Sequence, residues 1–429
     1  MIRSTSVFAV CLIFVATLRA ATIDFDLEIK TLAQRPEIRE ALRVIETLDS
    51  QSDAELIKLT EIPAPPFKES ARAEAYAELL REAGMRETEI DKEGNVISRW
   101  RGRSGEKTVA IVAHLDTVFP EGTDVTVRRD DGKLYAPGIG DDTRGLVLLL
   151  IMIRAMIAAR VETVDDLLFI GTVGEEGLGD LRGTKYLFRQ GGPRIDEFIA
   201  IDGGSFERVL NHAIGSHRYR VTFKGAGGHS WSAFGLGNPA HALARAIHFF
   251  DRNALVFVAS GPRTTYNIGR IGGGTSVNAI PFASWAEIDM RSEDPDRLRR
   301  LDALLQSAVQ EALAEQNRLR TRGEPLRVEV VPIGNRPSGV IDPQTPLIQR
   351  AQAATRFFGV EPELTAGSTD ANIPIALGIP ATTIGRGGQG GGAHSIHEWW
   401  SNTEGFRGVQ KALLIALASA GVPVTSADR

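Results

Sequence analysis

Cysteine is nearly missing from this chain, and the single one, Cys11, lies inside an N-terminal apolar stretch. If that stretch is removed, no disulfide, thiol nucleophile or cysteine-ligated metal remains available. Any metal must then be held by His, Asp and Glu. Excess positive charge is also lacking. The formal net charge is -5 at pH 7, and no Lys/Arg stripe interleaved with aromatics offsets it, so there is no electrostatic case for nucleic-acid binding. Apart from the N-terminal stretch, no run is long and apolar enough to suggest a membrane span. A hydrophobic content of 43% with 24% charged residues is that of a globular protein. A length of 429 residues makes two domains the default expectation.

The N-terminal stretch reads as a targeting segment. Arg3 supplies the positive start, Val7 to Leu18 the apolar run, and Ala20 and Ala21 the small residues of a cleavage point. The run is shorter than the roughly 20 residues that span a bilayer. Residues 1–20 are therefore expected to be a signal peptide, and the protein to be secreted or periplasmic without stable membrane insertion; an uncleaved anchor is the competing reading.

Residues 22 to 95 are mostly helical in pattern, with apolar positions three and four apart in Ile38–Leu42–Ile45 and Ala75–Leu79–Leu80. From residue 108, short apolar runs (Val109–Ala113, Leu167–Val173, Phe198–Ile201) alternate with helical segments such as the almost wholly apolar Leu146–Ala159. Buried strands separated by helices predict an α/β fold, a mostly parallel sheet flanked by helices, with ligands gathered at the strands' C-terminal ends. Near residue 214 the pattern changes. An alternating strand (His217–Phe223), a helix (Pro239–Asn253), strands at Thr265–Ile271 and Ser284–Met290, a charged helix (Pro295–Leu319) and a strand at Leu326–Val331 predict an inserted α+β unit. The expected organisation is a first catalytic part at 22–213, an insert at 214–334 and a second catalytic part at 335–429.

Acids and histidines recur just after the apolar runs. His114–Leu115–Asp116 offers an imidazole ligand and a carboxylate placed to fix its tautomer. Gly138–Ile139–Gly140–Asp141–Asp142–Thr143–Arg144–Gly145 presents carboxylates at the start of the apolar helix. In Gly174–Glu175–Glu176–Gly177 two adjacent acids need a cation nearby, and one can hold a metal while its neighbour takes a proton from water. Asp202 in Ile201–Asp202–Gly203–Gly204, and His394 in Ala393–His394–Ser395–Ile396–His397–Glu398, complete the set. Each motif alone is ordinary; together they would converge on one sheet edge. Nitrogen and oxygen donors suit zinc, with Co2+ or Mn2+ possible, and the set exceeds what one catalytic ion needs, so two Zn2+ are expected. No Gly-x-Ser-x-Gly elbow or Walker sequence suggests other chemistry.

The order and spacing of these motifs resemble the zinc-dependent exopeptidase family of glutamate carboxypeptidase, bacterial tripeptidase, carnosinase-type dipeptidases, aminoacylase and succinyl-diaminopimelate desuccinylase, from about residue 50 to 420. The resemblance implies a catalytic domain with a lid or dimerisation insert. It implies that His114 and Asp202 hold one zinc, Glu176 and His394 the other, and that Asp142 bridges them, with Asp141 as the fallback and Asp142–Thr143 as the cis peptide. Arg144 replaces the family's usual Lys. The resemblance further implies Glu175 as general base and acid, Asp116 as the residue orienting His114, and His229 (in Gly225–Ala226–Gly227–Gly228–His229–Ser230) as an oxyanion-stabilising group donated to a partner subunit. Asn278 and Arg336 match substrate contacts, Arg336 for a free carboxylate. The expected protein is a homodimeric hydrolase of a short peptide. A deacylase of an N-acyl amino acid, using the same site, is one alternative. A catalytically inactive dimeric metal-binding protein is the other.

Overall fold

Uninterrupted apolar runs dictate the centre of the molecule, which the structure, a computed structural model, describes over residues 23–424. The segment read as a signal peptide lies outside the described residues, and among those described no helix is long and apolar enough to cross a membrane.

The first strands are β1 (Glu87–Ile90), β2 (Val96–Trp100), β3 (Thr108–His114), β4 (Asp166–Thr172), β5 (Glu197–Ile201) and β6 (Arg208–Ala213). The chain then forms β7 (Gly215–Lys224), β8 (Thr264–Gly273), β9 (Ala283–Ser292) and β10 (Arg327–Arg336), and returns through β11 (Gly339–Val340), β12 (Glu363–Gly367) and β13 (Ala381–Ile384). A nine-stranded sheet has the order β1-β2-β4-β3-β5-β13-β6-β11, with β12 also pairing β6. Its central strands β4, β3, β5 and β13 are mutually parallel, while the outer pairs are mostly antiparallel. Every residue of β3 and β4 is buried, as expected of strands covered on both faces. The helix α1 (Gly145–Ala158) is buried continuously from Gly145 to Ile153, so it has no polar stripe to turn outward.

Strands β7 to β10 form a separate antiparallel sheet in the order β8-β9-β7-β10. Along β9 buried residues alternate with partly exposed ones, the signature of a sheet with one covered face. The covering helices are α2 (Pro239–Val258) and α3 (Pro295–Leu319), whose first turns are capped by the Asn238 and Asp294 side chains. Leu298, Leu301, Leu305, Ala308 and Ala312 of α3 meet Val221, Phe223, Ala286 and Ile288 in an apolar core of their own.

Two local readings differ from the sequence pattern. Residues 87–100 form a hairpin where helix was expected up to 95. Strand β10 continues to Arg336, past the expected end at Val331, because Pro332 and Gly334 are absorbed by an irregularity on a strand with a free edge.

Arg144, fully buried, donates through Nη2 to Asp49 Oδ1 at 2.6 Å, and its guanidinium lies 4.8 Å from the Trp400 ring. It thereby ties the start of α1 to the N-terminal helices and the C-terminal segment. Replacing Asp49 by Ala would leave this cation buried without a counter-charge, an expected loss of about 3–5 kcal/mol. Urea unfolding of the purified variant checks this; a loss under about 1 kcal/mol contradicts it.

Candidate active site

Because β4, β3, β5 and β13 are parallel neighbours, their C-terminal ends share one edge, and the polar residues that follow each strand are delivered there together. His114 closes β3, Glu175 and Glu176 follow β4, and Asp202 follows β5. Asp116 stitches the first two turns: its Oδ1 accepts from the Glu175 N–H at 2.9 Å and its Oδ2 from the Glu176 N–H at 2.8 Å. The His114 Nδ1 lies 3.0 Å from the main-chain carbonyl of Asp116 and 3.7 Å from its carboxylate. The expected orienting contact is thus made chiefly by the Asp116 backbone, while the carboxylate organises the Glu175–Glu176 turn.

Asp141, not Asp142, occupies the centre. Its Oδ1 is 3.1 Å from His114 Nε2 and its Oδ2 is 3.3 Å from His394 Nε2. It belongs to two clusters of close ligand atoms, one with His114 and Asp202 and one with Glu176 and His394. Asp142 turns inward instead: it is fully buried and its Oδ2 accepts from the His114 main-chain N–H at 3.2 Å. The structure thus puts Asp141, the fallback, rather than Asp142 between the two clusters. The cis peptide is correspondingly Asp141–Asp142, not Asp142–Thr143. The loop carrying Asp141 is fixed by Glu398, an acid whose role the sequence did not disclose. Its carboxylate accepts from the N–H groups of Gly138 (2.7 Å), Gly140 (2.9 Å) and Asp141 (2.8 Å).

These donors fit a metal. Around a zinc ion with ligand bonds near 2.0 Å, tetrahedral ligand atoms stand about 3.3 Å apart. The contacts of 3.1 Å (His114–Asp141), 3.3 Å (His394–Asp141) and 2.9 Å (His394–Glu176) lie close to that edge length. In the protein chain alone, protons stand in for the cation. Hydrogen bonds to the Asp141 and Glu176 carboxylates raise His394 to about 10. Burial opposes charge on His114, yet the Asp141, Asp142 and Glu175 carboxylates lift it well above the usual imidazole range. Burial raises Asp142 and Asp202, the latter helped by Asp141. Asp141 itself is held well below the usual carboxylate range, because both imidazoles outweigh its burial.

Glu175 is buried and bonded to Arg336, whose Nη1 donates to Glu175 Oε1 at 3.1 Å and to Ser368 Oγ at 3.1 Å, while Nη2 donates to the Glu175 carbonyl. Arg336, 4% exposed, is bonded to Glu175 and lines the same cleft as the acids, where the expected substrate contact would be made. The cleft above the acids, about 490 Å³, is lined by Arg208, Arg218 and Arg291 as well as Arg336. Neither His229 nor Asn278 lines it; both are exposed on the insert, His229 in a two-residue strand pairing with Ala279. Arg208, Arg218 and Arg291 were missed because isolated arginines on strands carry no spacing signal.

An α/β sheet whose strand ends gather carboxylates and imidazoles around a cation-sized gap defines a metal-dependent hydrolase. The family model for peptidase family M20/M25/M40 matches residues 110–417. The chain belongs to this family, and it is a hydrolase acting on peptide bonds. The uncharacterized protein YqjE of Bacillus subtilis (strain 168) is 26% identical over 303 residues, which cover 68% of this chain and 76% of that one. Among solved structures, the dipeptidase Dug1p of Saccharomyces cerevisiae superposes with a TM-score of 0.71 at 18% identity, covering 89% of this chain and 98% of that one. A Staphylococcus aureus tripeptidase gives 0.70 at 20% identity, covering 87% and 98%, and the aminopeptidase PepT of Bacillus cereus gives 0.67 at 21% identity, covering 87% and 99%. These structural likenesses show the shared fold.

Burial lifts Asp116 to about 6 and Glu398 to about 7, and acid partners lift His394 to about 10. A group whose folded pKa exceeds its unfolded value stabilises the fold below the unfolded value and loses that contribution as pH rises through the folded one. His394, lifted from 6.5 to about 10, loses stabilisation between those values, whereas the buried Lys411, lowered to about 7, has the opposite slope. Thermal scans in excess chelator are therefore expected to show the melting-temperature advantage of the wild type over His394→Ala falling from pH 6.5 to pH 10. Metal affinity should rise over the same range, since the histidines must lose their protons to bind. A wild type whose advantage over His394→Ala grows across this range contradicts the site chemistry.

Proposed function

We propose that the protein is a dinuclear zinc exopeptidase that hydrolyses the amide bond of short peptides and acts as a homodimer. The observation carrying this reading is the place of Asp141 between two clusters, His114 with Asp202 and Glu176 with His394, as a carboxylate shared by two ions requires. A donor set of nitrogen and oxygen without sulfur suits zinc, with cobalt or manganese as substitutes. When bound, the ions supply Lewis-acid polarisation of the scissile carbonyl and acidify the attacking water.

The chain's own residues do the rest. Glu175 takes the water's proton and returns it to the leaving nitrogen. Burial raises its pKa well above the usual carboxylate range, while Arg336 pulls it down, an environment suited to a group that must both accept and release a proton. The substrate's free carboxylate falls to Arg291, which lines the cleft with 42% of its side chain exposed. Arg291 spends its Nε on Asp289 at 2.7 Å, and its terminal nitrogens have no partner among the described residues. His229, exposed and outside its own cleft, serves the oxyanion of a second copy, with Asn278 beside it. The short-peptide reading draws support from the tripeptidase, aminopeptidase and dipeptidase among the similar structures.

Plasma-emission analysis should find two zinc ions per chain in the wild type, fewer than one in Asp141→Ala, and close to two in Asp142→Asn. Equal loss in both variants would return the bridging role to Asp142. Glu175→Gln is expected to keep both ions and to lower kcat by about 10²- to 10⁴-fold. Near-normal hydrolysis of di- and tripeptides by that variant overturns the mechanism. Because Arg336 lowers the Glu175 pKa, Arg336→Met should move the acid limb of the kcat/KM profile to higher pH.

A further inference from the structure

The cleft over the acids holds more positive charge than the hydrolysis of a neutral-side-chain peptide needs. Arg208, Arg218, Arg291 and Arg336 all line it. The charge of Arg336 is matched by Glu175. Arg218 and Arg291 bracket a single acid from opposite oxygens, Arg218 Nε to Asp289 Oδ1 at 2.8 Å and Arg291 Nε to Asp289 Oδ2 at 2.7 Å. One positive charge of that pair is left over, which suffices for a substrate's free carboxylate.

Arg208 is then a second surplus cation. Among the described residues no carboxylate oxygen lies within ion-pair distance of it, and its one hydrogen bond is a long 3.5 Å contact from Nη1 to the Asp202 carbonyl. The nearby charge of Asp202 is claimed by the metal cluster. The guanidinium lies against bare backbone. A Cβ on Gly203 would stand 2.4 Å from Nη1, and one on Gly367 would stand 2.6 Å from Nη2, so the guanidinium approaches two glycine backbones closely. Gly203 also has φ +83, a conformation that suits glycine. A guanidinium beside the candidate metal ligands, without an ion pair and lining the cleft, is suited to receive an oxyanion.

We propose that Arg208 forms a second anion subsite, and that the substrate therefore bears an acidic side chain beside its free carboxylate: a short peptide, or its N-acyl counterpart, ending in Glu or Asp. The proposal rests on the exopeptidase reading above and specifies its substrate class.

L-Alanyl-L-glutamate and L-alanyl-L-glutamine differ at the side chain by one charge at nearly equal shape, as do N-acetyl-L-glutamate and N-acetyl-L-glutamine. With zinc restored, kcat/KM is expected to favour the glutamate member of each hydrolysed pair by about tenfold or more. Arg208→Gln should bring that ratio to within about twofold, and Arg208→Lys should retain part of it. Calorimetry of L-glutamate and L-glutamine binding to the zinc-loaded protein should show the same preference and its loss in Arg208→Gln. A wild type without preference, or an Arg208→Gln variant in which both members fall in parallel, would overturn the subsite and leave the exopeptidase reading standing. Hydrolysis of none of the four compounds would count against that reading instead, and the calorimetry would still decide whether Arg208 binds the acid.

Discussion

Carboxylates packed at the ends of parallel strands repel one another, and the compensation of that repulsion organises the rest of this protein. Asp141, Glu176 and Asp202 stand within ligand distance of His114 and His394, in a region where burial alone would drive most acids to hold their protons. Such a cluster is tenable only with positive charge at its centre. Metal supplies it when bound; otherwise protons on the histidines do. Around the cluster sits a shell that fixes each ligand without touching the centre. Glu398 receives three N–H groups of the Asp141 loop, Asp116 receives two of the Glu175–Glu176 turn, and Asp142 holds the main chain of His114. Partners of this kind set ligand geometry as firmly as the ligands themselves.

The scaffold's central features were legible because burial leaves a strong imprint on sequence. The seven-residue run of β3 and the apolar α1 admit little besides a sheet interior and its covering helix. The charged helix Pro295–Leu319 was visible to the residue, since Asp294 and Pro295 mark its start and its apolar positions recur at helical spacing. The hairpin at 87–100 was not, because its strands are short and β1 is largely exposed.

Within the site, residue types were readable and register was not. His114, Glu176 and Asp202 announce themselves as ligand types after apolar runs, and His394 after a glycine-rich loop. The choice between Asp141 and Asp142 depends on backbone geometry at a loop where the two side chains part, one to the cleft and one to the interior, and adjacent identical residues carry no clue to it. Arg336, assigned by its likeness to a substrate-binding arginine, does line the cleft, and its bond to Glu175 comes from contacts that sequence does not show. Glu398 lay in plain view next to the last histidine motif. Its importance comes from contacts made across some 260 positions of chain, which local pattern cannot reveal.

That long reach has a consequence for timing. The Asp141 loop is shaped by Glu398, and one of its two imidazole neighbours is His394, both supplied after the insert by the returning part of the chain. A chain still emerging from synthesis can already contain β3, β4 and Asp116, yet it has neither the second histidine nor the acid that fixes the loop. Until the last segment docks against the sheet the ligand set stays open, so the newly made protein carries no assembled hydrolytic centre while its own unfolded segments are within reach.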